Sequence, residues 1–347
     1  MYKIIFITII IFLFIDTFYA DISDIKQTTV FDLSGAYYPG NQQGYGINGG
    51  FAPVSYNVLP KSGLQHRTND PGRDLGYPFG RPQIGATISH IFILPFLNGK
   101  GPLFSDNNLE FKFDGVLSPV SVNSLGEIIW TPIAVFKLSS GFGIGTGWNL
   151  IGFDGLGRNI PSAGNNAPLS EPFSGAVYKF WSSFTFQFDL GAIMPGKWTH
   201  IVVVTVSRFE YRAFTLADAD TPWQYEADEG ENLNGWKYYG TYLAGYKMPL
   251  IVDFIGFLIK SEEYIDSNRW RSTISSGGWG SDFVTWNFGP LVNFHIAEKS
   301  WLTLLVQFKT GKQATDSTIG NRFYQYWQVK GSYLYFNGIA FDYGFQF

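Results

Sequence analysis

Ile339-Ala340-Phe341-Asp342-Tyr343-Gly344-Phe345-Gln346-Phe347 is the stretch whose reading decides the fold. Successive side chains of a β-strand point to opposite sides. Ile339, Phe341, Tyr343, Phe345 and Phe347 therefore share one face, and Ala340, Asp342, Gly344 and Gln346 share the other. A row of aromatics along one strand face is costly in water. In a membrane β-barrel it is the expected pattern, with apolar residues toward lipid and small or polar ones toward the lumen.

The same alternation recurs along the chain. Leu109, Phe111 and Phe113 oppose Glu110, Lys112 and Asp114. Phe184, Phe186, Phe188 and Leu190 oppose Thr185, Gln187 and Asp189. Trp286, Phe288, Val292 and Phe294 oppose Asn287, Asn293 and His295, and Leu302, Leu304, Val306 and Phe308 oppose Thr303, Gln307 and Lys309. Such stretches reach the roughly nine to eleven residues that a tilted membrane strand requires. The fold class they predict is all-β, a transmembrane antiparallel up-and-down barrel of about fourteen strands, within a range of roughly twelve to sixteen.

The final segment resembles the C-terminal signature by which Gram-negative outer-membrane proteins are recognised for assembly, with Phe341, Tyr343, Phe345 and Phe347 as the signal residues. The resemblance implies a porin-like protein of the outer membrane, with outer-membrane lipid and the barrel-assembly machinery as partners. Met1 to Ala20 reads as a secretory signal: Lys3 gives the charged start, Ile4 to Ile15 the apolar core, and Ala20 a small residue before the cut. Phe18 departs from the small residue expected two positions earlier. Residues 21–347 then form one barrel domain.

Composition agrees. Aromatics make up 18% of the chain and glycines number 40, above ordinary globular usage, as lipid-facing bands and interfacial girdles demand. The mean hydropathy is +0.00, because the two faces of each strand cancel. Cysteine is absent, which excludes a disulfide scaffold and Cys-ligated zinc. The net charge of −4, with Lys and Arg dispersed, leaves no basic patch for nucleic acid.

Polar segments of two sizes separate the strands. Short ones include 194–197, 247–249 and 297–300, with Asn337-Gly338 as a hairpin signal. Long ones run near 58–82, 153–173, 215–234, 263–280 and 312–321. Barrels of this class keep long loops on the extracellular side. A turn at Asn337-Gly338 conflicts with that rule, since counting back from it places every long loop on the periplasmic side.

Gly141-Phe-Gly-Ile-Gly-Thr-Gly-Trp148 clears one strand face of side chains. No helix follows to receive phosphates, so the glycines are expected to admit a close neighbour rather than a nucleotide. Arg208, Glu210 and Arg212 share a strand face with Val202, Val204 and Val206 if the strand is regular; a bulge or a wall leaving the bilayer would also explain the switch. His66 to Asp74 alternates charge in an early loop and could constrict the lumen. Asp218, Asp220 and Glu229 hold calcium-loop spacing, but Trp223 stands where the motif needs glycine. No metal site, catalytic set or cofactor is expected from these motifs.

The function expected first is a passive or weakly selective pore for small solutes. Its inward row would comprise Glu110, Lys112, Asp114, Gln187, Asp189, Asn287, Asn293, His295, Gln307 and Asp342. Charges in a barrel face the lumen, where they tune selectivity. Three alternatives stand beside it. One is a transporter of apolar ligands resembling the fatty-acid transporter family, with residues 21–60 as a plug and the Tyr-rich 322–336 strand offering a greasy wall. Another is a hydrolase using His295 near Asn293 and Ser300, although the motifs of the outer-membrane phospholipase family are not reproduced. The last is an adhesin presenting Trp270 and Trp279.

Overall fold

Alternating segments of 11 to 18 residues pair into one closed antiparallel sheet of twelve strands. The computed structural model describes residues 25–38, 81–101, 103–150, 153–162, 165–226, 231–267, 270–314 and 324–347. The signal segment 1–20, the early loop 66–74, most of the candidate plug 21–60 and Glu229 lie outside the described residues. The barrel strands are β1 (Lys26–Tyr38), β2 (Arg81–Pro95), β3 (Asn108–Ser118), β4 (Ser121–Ile133), β5 (Phe136–Gly147) and β6 (Val177–Asp189). They continue as β7 (His200–Phe214), β8 (Gly235–Lys247), β9 (Val252–Tyr264), β10 (Thr285–Ala297), β11 (Ser300–Ala314) and β12 (Val329–Gln346). Each pairs with its sequence neighbour, and β1 closes on β12 from Val30↔Gln346 to Tyr37↔Ile339.

The count corrects the expected fourteen strands to twelve, and one of the surplus strands comes from a single dipeptide. Asn337-Gly338 is not a turn; it lies inside β12. The register against β11 shifts there, from Gln307↔Gly338 to Phe308↔Phe336, leaving Asn337 as the extra residue of a β-bulge. The Asn337 side-chain Nδ2 donates to Gln307 Oε1 at 3.1 Å across the bulge. With that turn removed, the loop conflict disappears. The connections after β5, β7, β9 and β11 leave from one end, hereafter the loop side. β1 begins and β12 ends at the other, the turn side, with the short connections 134–135, 248–251 and 298–299.

Directly paired residues in an antiparallel ladder share a face, so the register traces two continuous surfaces round the barrel. The outer one holds Ile88, Phe113, Ile128, Phe142, Phe184, Phe257 and Phe341, all exposed, with Ile88 at 56% and Phe113 at 55%. So large an apolar surface belongs against hydrocarbon. His90 is also on this face, where Thr29 Oγ1 lies 2.9 Å from its Nδ1. The inner face carries Asp32, Lys112, Glu127, Glu210, Glu262 and Asp342.

No bulge interrupts the Val202–Arg212 segment. β7 runs in unbroken register against β8 from His200↔Lys247 to Arg212↔Gly235. The inward face of one regular strand therefore changes from valine on the turn side to Arg208, Glu210 and Arg212 on the loop side.

An epitope inserted between Asn337 and Gly338 should abolish assembly, because it splits a membrane strand. The same epitope between Ser275 and Ser276 should be tolerated and accessible at the surface. Heat-modifiable mobility with antibody labelling of intact cells reads both, and a surface-labelled barrel from the first insertion would restore the turn.

Candidate solute path through the barrel

The ten residues expected to line a lumen all stand on the inner face by register, on β3, β6, β10, β11 and β12. Their surroundings differ. Lys112 Nζ pairs with Asp114 Oδ2 at 3.1 Å, beside Glu110 on β3. Asn287 lies in the row of Lys260 and Lys309. Asn293 donates to Asp253 Oδ1 and accepts from Thr303 Oγ1, both at 2.7 Å. Asp342 sits opposite Thr303 on one side and Ser34 on the other.

Others are structural or lie at the rim. Gln187 donates to the Ala134 carbonyl of the neighbouring turn at 2.8 Å. Asp189 accepts from the Gly191 amide at 2.8 Å, capping the short 3-10 turn Leu190–Ala192, and its other oxygen lies 2.8 Å from His200 Nδ1. His295 is exposed at the turn-side end of β10.

The glycine-alternating strand makes room for large inward side chains. Gly141, Gly143, Gly145 and Gly147 of β5 all point inward. The indole of Trp181, from the adjacent β6, lies across Gly141, and any Cβ there would meet its ring. Trp181 Nε1 donates to Glu127 Oε1 at 2.9 Å, which also accepts from Ser139 Oγ at 2.7 Å. The Arg208 guanidinium carbon lies 4.3 Å from the centre of a Trp181 ring, a cation–π contact. A large aromatic is thus laid flat against the wall by three neighbouring strands.

Beside it runs an ionic ladder. The Glu210 carboxylate, 2% exposed, accepts from Arg208 on one oxygen and from Arg212 on the other, the latter at 3.0 Å. Lys237 pairs with Glu262 and lies 4.5 Å from the Tyr264 ring centre. Lys179 and Lys260 point into the same region with no carboxylate within ion-pair distance among the described residues. The sequence reading singled out the arginines but missed Glu127, Lys179, Trp181, Lys237, Lys260 and Glu262. Their inward parity follows from the strand register; their convergence depends on which strands adjoin.

Above the ladder, the long loops pack on one another. Leu156–Ser162, Asn165–Ser170 and Trp223–Tyr225 form a small sheet. Its Leu156, Trp223 and Tyr225 are buried with Val177, Phe214 and Ala217. A second apolar cluster joins Leu233, Tyr264, Trp270, Trp279, Tyr324 and Trp327. Trp270 and Trp279, expected as exposed adhesive aromatics, are therefore core residues of the loop layer, 8% and 3% exposed. Polar ties complete it: Asn159 Oδ1 accepts from the Tyr324 amide at 2.9 Å, and Lys312 pairs with Glu231 at 2.6 Å. Asp220, read as a calcium-loop position, instead accepts from the Arg271 amide at 2.7 Å and from Ser272 Oγ.

One loop reaches into the barrel. Tyr225 Oη donates to Asn123 Oδ1 at 2.9 Å, next to the inward space left by Gly145. Burial, with Glu226 adjacent, pushes the Tyr225 phenol well above its usual range, so it stays a neutral donor. Glu226, in the left-handed region at φ 56°, accepts from Asn123 Nδ2 at 2.7 Å and from Ser121 Oγ at 3.1 Å. The glycine face of β5 and the inserted loop fit one another.

No protein-family model matches the chain. No curated relative matches it in sequence. Among solved structures it is similar to the KdgM porin, at 9% identity over 76% of this chain and 92% of that one, with a TM-score of 0.32. The NanC porin aligns at 6% identity over 90% and 97% with a TM-score of 0.36. The outer membrane channel DcaP of Acinetobacter baumannii aligns at 6% over 93% and 97% with a TM-score of 0.34. At such identities and scores the likeness carries no functional argument, and function has to be argued from this chain's own site. The closed sheet and its apolar outer face define the class of protein, a membrane-spanning β-barrel.

Gly145→Leu should destabilise the barrel by about 1–3 kcal/mol through overpacking against Tyr225 and Asn123. Tyr225→Phe should cost about 1 kcal/mol, from an unpaired buried acceptor on Asn123. Urea unfolding in detergent followed by tryptophan fluorescence measures both. A Gly145→Leu barrel as stable as the parent would mean that the glycine face accommodates nothing.

Proposed function

We propose that this chain is a passive pore of the outer membrane through which small solutes diffuse past a fixed constriction. The observation that carries the reading is the inner face. It is continuous and enclosed by a sheet with an apolar outer surface. It carries polar and charged side chains on most strands beside an apolar stretch at Val202–Val206 and Leu243, and inserted side chains reach into it. Eight strands leave an interior filled by side chains and sixteen or more enclose an open channel. Twelve fall between, so the loops and inward residues decide the bore.

In this reading Trp181 and the Tyr225–Glu226 insertion set the narrow zone, and Glu110, Lys112, Asp114, Asn287, Asn293 and Asp342 wet the path. Gln187, Asp189, His295 and Gln307 take places at the turn-side rim or in the wall. No covalent step or cofactor is invoked. Residues 1–20 serve as the export signal, and the aromatic face of 339–347 is presented to outer-membrane lipid and to the assembly machinery. A hydrolase is disfavoured because Asn293, the natural orienter for His295, is committed to Asp253 and Thr303, and Ser300 is buried.

Single-channel recording in planar bilayers tests the pore. The parent protein should give small ohmic steps. The double variant Tyr225→Ala, Glu226→Ala, which releases the inserted loop, should raise the step size by about twofold and add noise. A protein that folds but never conducts contradicts the pore, and equal steps in parent and variant contradict the constriction.

A further inference from the structure

The inward charges are unevenly divided by sign between opposite walls. In a twelve-stranded barrel, strands six apart in order are diametrically opposed, so β6 faces β12, β7 faces β1 and β9 faces β3. On β6 to β9 the inward face carries Lys179, Arg208, Arg212, Lys237 and Lys260 against Glu210 and Glu262 toward the loop side, with Asp189 and Lys247 at the turn-side end. Glu210 and Glu262 are held in ion pairs and Asp189 lies against His200, whereas Lys179 and Lys260 have no carboxylate partner among the described residues. On β12, β1 and β3 the inward face carries Asp342, Asp32, Asp114 and Glu110, with Lys112 and, at the turn-side end of β1, Lys26 as the opposing charges. Asp32 has Asp342, Lys112 and Asp114 as its charged neighbours.

Two buried atoms repeat the division. Arg208 Nε on the cationic wall and Asp114 Oδ1 on the acidic wall have no hydrogen-bond partner. Glu110 and Asp342 lie toward the turn-side ends of their strands, Asp32 at the middle of its strand, and Asp114, like Lys179 and Lys260, toward the loop side.

Resting on the pore reading, we propose that the lumen is polarised across its width and favours solutes carrying opposite charges at separated points. Free zwitterionic amino acids are the simplest members of that class. A solute with one sign of charge gains at one wall and loses at the other. A zwitterion can turn its carboxylate to the Lys179–Lys260 wall and its ammonium to the Asp32–Asp342 wall, and gain at both. Low-dielectric walls focus such a field, so it is felt within the passage more strongly than in bulk water.

The test is osmotic swelling of proteoliposomes holding the full chain, with glutamine as the zwitterion and arabinose as the uncharged solute of similar size. The parent should admit glutamine about threefold faster than arabinose at low salt. That ratio should fall toward one in Lys179→Gln/Lys260→Gln and in Asp32→Asn/Asp342→Asn. Each variant is checked by heat-modifiable mobility, and either pair alone suffices if the other does not fold. A parental ratio near one, or a ratio that a folded pair leaves unchanged, overturns the polarised lumen while leaving the pore in place. Entry of neither solute overturns the pore itself, and with it this inference.

Discussion

A hydrocarbon layer offers the backbone no hydrogen-bond partner, so the pairing of the first strand with the last is the constraint on which the rest of this structure depends. An open edge would leave a column of N–H and C=O groups in lipid, each costing several kcal/mol. Here β1 and β12 pair over eight register positions, and the Phe347 amide extends the seam by donating to the Thr29 carbonyl at 2.8 Å. Closure fixes which strands adjoin, adjacency fixes which side chains share a row, and those rows place the ionic ladder, the Trp181 plate and the acidic wall.

Within the closed sheet, small residues and large ones are complementary. The glycines of β5 would weaken an isolated strand. In the barrel they make room for Trp181 from one side and for the Tyr225–Glu226 loop from above. The buried Glu210 carboxylate is tolerable because two guanidiniums flank it; removing Glu210 would leave those two cations side by side and uncompensated in a poorly solvated wall. Fixed in this way, the interior has a defined shape with charges of known position.

Much of this was legible from period two alone. The alternation in 109–114, 184–190, 285–296, 302–309 and 339–347 places the inner and outer faces correctly, because parity is a local property of a strand. The count was not legible at Asn337-Gly338. Asn-Gly suits a two-residue hairpin turn, and the same small, permissive pair also suits a bulge; only the partner strand β11 distinguishes them. The loop layer was illegible for a related reason. Trp270 and Trp279 read as exposed because they lie in polar segments, yet they are buried by contacts from segments far away in sequence, such as Tyr324 and Leu233. Asp220 has the right chemistry for calcium, but its oxygens are spent on Arg271 and Ser272. The glycine strand lies between these cases: the sequence announced a close approach and did not say by what.

The central claim is that adjacent residues of one strand face water and lipid in turn around an aqueous lumen. The chain has no cysteine, so single cysteines at Thr303 and Leu304 of β11 report on it without background. In lipid vesicles, a small charged thiol reagent should modify Thr303→Cys readily and Leu304→Cys hardly at all. Equal reactivity at the two positions, or protection of both, would contradict an aqueous lumen bounded by this wall.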